Sequence, residues 1–231
     1  MMETVEDIPK QAILEGLAWD WEDYGGYLDS VERLQPGHNI AGLVGHCAVR
    51  FYVMGERADE EQSTQYEKLE MAAIVWRAVD AGAVGFSTNR FPPHVLPDGR
   101  SIPGTYADAS ELLAIAKEVG ARGGLMQNVL DFEQIEFTTQ LLKDIATTSG
   151  SRVLFSFGVG PDPASGRGSA AYLETLCEEG RDKSAVSQPR GSGFVVGLQS
   201  MLPAGGRSWS ELRRMDVEGR RAALEVADYC A

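Results

Sequence analysis

Residues 66–88 read YEKLEMAAIVWRAVDAGAVGFST, and this stretch decides the fold class. Tyr66, Leu69, Ala72, Val75, Trp76 and Val79 recur at three- and four-residue steps, which puts them on one face of an amphipathic helix. The helix is expected over residues 59–81. Gly82 then stands where a chain leaving a helix commonly needs a left-handed residue. VGFST at 84–88 follows at once. A short apolar run of this kind fits a strand buried on both faces.

The same alternation extends in both directions. Upstream, NIAGLVGH at 39–46 reads as a buried strand, and a helix is expected from Tyr24, with Tyr27, Leu28, Val31 and Leu34 on one side, stopped by Gln35-Pro36-Gly37. Downstream come a helix over 110–119, a strand GLMQNVL at 124–130, a helix over 132–148 and a strand RVLFSFGV at 152–159. A Gly/Pro/Ser-rich loop at 160–168, a helix over 170–179, a weak fifth strand at 185–188 and a final helix from Trp209 to Glu225 complete the pattern. Strands separated by helices of this length pair in parallel through right-handed crossovers. A doubly wound sheet and a (β/α) barrel both fit that rhythm. No GxGxxG and no GxxxxGK followed by Ser or Thr comes after any strand, which weakens the nucleotide-binding sheet. The expected class is therefore α/β, an incomplete TIM-like (β/α) barrel of the metal-dependent hydrolase type. It is read as one partial domain over residues 1–231. About five βα units are legible, where a closed barrel needs about eight, in ~250 residues.

The 231 residues carry a formal net charge of -13. Such a surface repels phosphates, so neither nucleic acid nor an anionic membrane is an expected partner. Cys47, Cys177 and Cys230 are odd in number and widely spaced, so a reducing cytoplasm is the default expectation. No apolar run reaches the ~18 residues of a membrane span. The acidic N-terminus lacks the basic start and apolar centre of a secretory signal.

In a barrel the chemistry sits where strands run into their following loops. That rule selects His46, Cys47 and Arg50 after the first strand, and Ser87, Thr88, Asn89, Arg90 and His94 after the second. It selects Gln127, Asn128 and Asp131 after the third, then Ser156 and Asp162 after the fourth. A strand-end histidine such as His46 can ligate a metal or move a proton; it can equally be hydrogen-bonded into the structure and chemically idle. Arg50 can grip a carboxylate through two bonds, or pair with an acid of this acidic chain. Ser87 and Thr88 can bind substrate or cap the loop, and Gly85-Phe86-Ser87-Thr88-Asn89 lacks the last glycine of a nucleophile elbow. His94 lies in a long loop, 89–107, that holds four prolines and two glycines; loops of that length are usually functional or mobile. The three histidines, His38, His46 and His94, form no HxH or HExxH pair, so the chain is not expected to complete a zinc site by itself.

Four collinear motifs resemble the N-acyl-D-amino-acid deacylase (D-aminoacylase) branch of the amidohydrolase superfamily. They are MMETVEDIP, LAWDWEDYGGYLDSV, NIAGLVGHCAVRFYVMGERA and AVDAGAVGFSTNRFPPHVLPDGRSIPG. The resemblance implies a metal-dependent TIM-like barrel, with a small β-sandwich built from the two chain ends in full-length members. It implies hydrolysis of a non-peptide amide C–N bond, in N-acyl-D-amino acids or related small acylated compounds, by water activated on zinc. The family's HxH motif and a cysteine ligand lie upstream of the segment matching VEDIP, and its catalytic aspartate lies downstream of residue 231. The strand matching GGLMQNVLDF carries a metal-binding histidine in typical deacylases, where this chain has Gln127, Asn128 and Val129. VLFSFGVG likewise has no histidine. Zinc is thus expected in the full-length family, with no complete ligand set in this chain. The expected substrate-binding set is His46, Arg50, Ser87, Thr88, Arg90, His94 and Gln127. The alternative is a non-catalytic relative that binds a small acylated ligand in the barrel mouth.

Overall fold

In the computed structural model, residues 8–96, 98–131, 134–156, 183–186, 211–212 and 214–226 are described, together with Arg167, Glu174 and Leu198. The element order is α1 (Lys10–Gly16), α2 (Tyr24–Arg33), β1 (Leu43–Gly45), α3 (His46–Met54), a 3-10 turn (Gly55–Arg57), α4 (Gln65–Asp80), β2 (Gly85–Asn89), α5 (Ala109–Gly120), β3 (Leu125–Val129), α6 (Ile135–Ser149), β4 (Arg152–Ser156), β5 (Lys183–Val186) and α7 (Val217–Leu224).

Thr64 starts α4 with a reciprocal cap: its hydroxyl accepts from the Glu67 N–H, and the Glu67 carboxylate accepts from the Thr64 N–H. This satisfies donors that a helix start otherwise leaves orphaned. The helix therefore begins six residues later than periodicity alone suggests. Asp23 and Asp216 cap α2 and α7 in the same sense, each accepting from the N–H three residues on. At its far end α6 stops at Gly150, which has φ +65.

Several elements differ from expectation, the fifth strand among them, which runs over Lys183–Val186 rather than 185–188. The first strand is three residues long rather than eight, and the apolar run HCAVRFYVM that follows is helix α3. No helix was expected there, because this helix buries His46 and Arg50 and exposes Phe51 and Tyr52, the reverse of the pattern that marks an amphipathic helix. At the C-terminal end, where one helix is expected over 209–225, Glu211 and Leu212 are helical, the chain turns at 214–216, and a separate helix runs over Val217–Leu224 from the Asp216 cap. All of the loop expected at 160–168 except Arg167, most of the helix expected over 170–179, and Asp162, Cys177 and Cys230 lie outside the described residues.

The five strands are parallel, in the order β1-β2-β3-β4-β5. Sequential order has a direct consequence. Right-handed crossovers that always step the same way lay every connecting helix on one face of the sheet. A doubly wound sheet needs a reversal of order, and none occurs among these strands. Side chains accordingly sort by alternation. Val44, Phe86, Met126, Val153 and Phe155 are buried against Met71, Val75, Leu112, Ile115, Leu142 and Ile145 of the helices. Each large apolar side chain so enclosed contributes about 1.5–3 kcal/mol. The alternate row, which includes Leu43, Ser87, Asn89, Leu125, Gln127, Val129, Leu154 and Ser156, is only half-buried. No helix among the described residues is long and apolar enough to cross a membrane.

The loop from 90 to 107 is tied down rather than free. Val95 and Ser101 form an isolated antiparallel bridge, closed by Leu96 N–H to Arg100 O and by Gly99 at φ +86. Ile102, Thr105 and Ala107 are buried at its base.

Candidate functional site

The expected substrate-binding set divides between the two faces of the sheet. His46, Arg50 and Thr88 lie on the helix side, 1%, 2% and 1% exposed. Ser87, His94 and Gln127 belong to the half-buried side, and Asn89 joins them there.

On the helix side the four-residue spacing of His46 and Arg50 puts both on one face of α3. His46 Nε2 lies 2.6 Å from Glu111 Oε1, and Nδ1 lies 2.8 Å from Thr88 Oγ1. Glu111 also accepts from Arg50 Nη1 and from the Ser63 hydroxyl. Arg50 Nε donates to the Ala58 carbonyl at 2.7 Å, and Nη2 donates to the Glu61 carbonyl. Glu111 is fully buried, at the third position of α5, where the helix N-terminus favours a negative charge. Burial alone would raise its carboxyl; hydrogen bonds from His46, Ser63 and Arg50 outweigh that and hold it at about 2. Burial holds the His46 imidazole below its ordinary value, against the opposing pull of Glu111. An ionised carboxylate only accepts, so Nε2 of His46 carries the proton and Nδ1 accepts from the Thr88 hydroxyl. Both ring nitrogens and both carboxylate oxygens are thereby satisfied within the protein.

A pH prediction follows from Glu111. Its folded value of about 2 lies below the ~4.3 of a free glutamate. The stabilisation is therefore complete above roughly pH 4.3 and is lost as pH falls toward 2. Urea unfolding at stepped pH should show this loss in the native chain, and a smaller one in Glu111→Gln, where nothing is left to protonate.

Arg90 is also buried, at 8% exposure. It follows the last residue of β2, and its N–H still pairs with the Val129 carbonyl at 2.9 Å. Its Nη1 donates to the Ala107 carbonyl at 2.7 Å, and its guanidinium lies 5.2 Å over the Phe137 ring. It thereby ties the base of the 90–107 loop to the sheet end. Cys47 is half-buried, with its thiol 3.0 Å from the Pro103 carbonyl; burial pushes that thiol up to about 11, which leaves it unreactive near neutrality. Asn128 is buried and bonds to the Met126 carbonyl, and Asp131 accepts from the Gln134 side chain at 3.0 Å.

On the other side, Ser87 and Gln127 are direct neighbours in the β2–β3 register. The Ser87 hydroxyl donates to Gln127 Oε1. Asn89 accepts from the Phe91 N–H, which turns its amide nitrogen toward His94 Nδ1. The His94 ring sits edge-on to Phe91 at 5.1 Å. Among the described residues, no three His, Cys, Asp or Glu side chains come together to hold a metal ion. What this face offers is amides, a hydroxyl and an imidazole.

Glu111 and Ser63 escaped the sequence reading. Glu111 shares the buried stripe of α5 with Ile115 and Val119 at four-residue steps. A carboxylate on a core-facing stripe must be paired, and that was the available signal. Ser63 left none.

No family model matches the chain. It is 27% identical over 117 residues to D-aminoacylase of Alcaligenes xylosoxydans xylosoxydans, covering 51% of this chain and 22% of that protein. It is 28% identical over 156 residues to N-acyl-D-glutamate deacylase of the same organism, covering 67% and 30%. An uncharacterized protein of Mycobacterium tuberculosis is 28% identical over 139 residues, covering 56% and 23%. Among solved structures, the zinc- and phosphonate-bound N-acyl-D-glutamate deacylase from Bordetella bronchiseptica superposes with a TM-score of 0.57 at 24% identity, over 71% of this chain and 33% of that one. A D-aminoacylase structure gives a TM-score of 0.60 at 22% identity, over 73% and 34%. The parallel sheet and these superpositions define an α/β fold, the one seen in the D-aminoacylase and N-acyl-D-glutamate deacylase structures. In sequence the chain is similar to D-aminoacylase and N-acyl-D-glutamate deacylase, and it spans 22–30% of the length of the curated relatives it matches.

Proposed function

We propose that residues 1–231 form one arc of a (β/α) barrel whose half-buried row faces the substrate of an amide-cleaving hydrolase acting on N-acyl-D-amino acids or close analogues. The observation that carries this reading is the division of the sheet. The connecting helices α3, α4, α5 and α6 pack on one face, and the polar residues Ser87, Asn89 and Gln127 stand on the other. In a barrel that second face is the interior, and the strand ends with their loops form the rim where substrates bind.

The hydrogen bonding suits an acylated amine. Because Ser87 donates to Gln127 Oε1, the Gln127 amide nitrogen presents its N–H donors and the Ser87 oxygen presents lone pairs. An amide offers the complement, a carbonyl that accepts and an N–H that donates. Asn89 donates to His94 Nδ1, which leaves Nε2 as the protonated nitrogen of that ring. Arg90 supports the rim from beneath through Ala107, while His46, Arg50 and Thr88 act inside the structure. The relative from Bordetella holds zinc. The described residues here do not fit a metal centre, so the role assigned to them is to bind and orient the acyl group. D-aminoacylase and N-acyl-D-glutamate deacylase carry the substrate class in their names, and that is the class proposed.

The test is direct. Titration of the 15N-labelled chain with N-acetyl-D-glutamate and N-acetyl-D-alanine should move the amide signals of Ser87, Asn89 and Gln127 saturably. Gln127→Ala should weaken binding by up to about tenfold, the loss of one neutral hydrogen bond. Saturable shifts confined to other parts of the chain, or no shifts at millimolar ligand, would count against this face as the substrate side.

A further inference from the structure

We propose that the buried chain Arg50–Glu111–His46–Thr88 is a positioning device that sets the geometry of the ligand-facing end of β2 and of the loop over it. The proposal rests on reading the Ser87–Asn89 row as a ligand site, and it extends that reading to residues that never touch ligand.

Thr88 is the hinge of the argument. It lies between Ser87 and Asn89, and alternation sends its side chain to the helix side while its two neighbours face the other way. Its hydroxyl is held 2.8 Å from His46 Nδ1. The other ring nitrogen is held 2.6 Å from Glu111 Oε1. Glu111 is clamped in turn by Arg50 and Ser63, and Arg50 is anchored on the Ala58 and Glu61 carbonyls. One imidazole therefore connects α3, β2, α5 and the 58–63 segment. The ring is also fenced by its surroundings. Phe86 stands beside it at 5.3 Å between centroids. Gly104 lies so near that a Cβ there would sit 2.5 Å from Nδ1, and its φ of +95 already requires glycine. The loop backbone thus rests on the imidazole, and Cys47 and Arg90 tie the same loop at Pro103 and Ala107.

Packing alone would ask only for an apolar group of the same size. A carboxylate that receives three donors, and an imidazole with one acceptor left for one hydroxyl, specify more than volume. They fix one tautomer, one ring orientation and one Thr88 rotamer. A group held at both ends transmits small displacements, so the positions of Ser87 and Asn89 depend on it.

The experiment uses the whole chain. In the wild type at pH 7, long-range 1H–15N correlations should show His46 protonated at Nε2 only, with Nδ1 accepting a hydrogen bond. A proton on Nδ1, or a ring averaging between tautomers, overturns the proposal without any variant. Thr88→Val keeps the shape and removes the hydroxyl; Thr88→Ser keeps the hydroxyl. The expected result is that Thr88→Val shifts the Nδ1 signal and the amides of Ser87, Asn89 and Gly104, weakens N-acetyl-D-glutamate binding about tenfold, and that Thr88→Ser restores all three. Unchanged Ser87, Asn89 and Gly104 amides in Thr88→Val overturn it, as does unchanged affinity where the wild type binds. If those amides move as expected while the wild type binds no N-acetyl amino acid, the positioning device stands and the ligand-site reading falls.

Discussion

Glu111→Ala should destabilise the chain by about 3–5 kcal/mol, the scale for removing one partner of a buried ion pair. The carboxylate is fully buried and receives His46 Nε2–H, Arg50 Nη1 and the Ser63 hydroxyl. Its removal leaves a guanidinium and two neutral donors enclosed without their acceptor. Folded domains of this size hold only about 5–15 kcal/mol in total, so the loss is a large share. Urea denaturation would measure it through the midpoint, with the slope unchanged if the folded form stays compact. The control is the simultaneous replacement Arg50→Met, Glu111→Leu, His46→Phe, which removes charge and donors together. That variant should recover part of the loss, because the cost lies in orphaned polar groups more than in the missing attraction. A Glu111→Ala variant within 1 kcal/mol of wild type, a figure set by the ~0–1 kcal/mol of exposed ion pairs, would mean that water reaches the cluster.

Gly85→Ala should open the β2–β3 pairing and cost about 2–6 kcal/mol, from overlap and backbone strain of roughly 1–3 kcal/mol each. A Cβ at Gly85 would lie 1.9 Å from the Leu125 carbonyl oxygen and 2.7 Å from the Leu125 nitrogen. Those are backbone atoms of the neighbouring strand and cannot swing aside as a side chain would. The residue also has φ +153, outside the range that side chains readily adopt. The local reporter is the Leu125 N–H, bonded to the Val84 carbonyl at 3.1 Å, whose hydrogen exchange should accelerate sharply. Gly123→Ala is the comparison: φ is +66 but a Cβ meets nothing within 4 Å. It carries strain alone and should cost about 1–2 kcal/mol. Equal effects at the two glycines would show that strain, and not contact with β3, governs Gly85.

The parallel α/β architecture was legible because helices and strands here have different periods. α5 and α6 begin and end within three residues of the sequence expectation, and β2 and β3 within one. α3 was not legible, since HCAVRFYVM buries His46 and Arg50 and exposes Phe51 and Tyr52, and its length sits between those of a strand and a helix. The candidate positions were found by the strand-end rule, but that rule does not say which face a residue takes. His46 stands one residue past β1 and Thr88 one before the end of β2, and both turn toward the helices. Facing depends on where each strand stops, and a boundary error of one residue exchanges inside for outside. Glu111 was hidden for a different reason: its function comes from three partners that are 48 to 65 positions away in the sequence.

The lateral pairing of Ser87 with Gln127 bears on how such a protein can be altered. The two belong to successive βα units and depend on each other for their orientation. Mutating one while keeping the other leaves an amide or a hydroxyl without its mate, so neither unit can be transplanted or diversified in isolation. Libraries that diversify this face of the sheet should vary the two codons jointly, and natural drift at either is expected to proceed through compensated doubles.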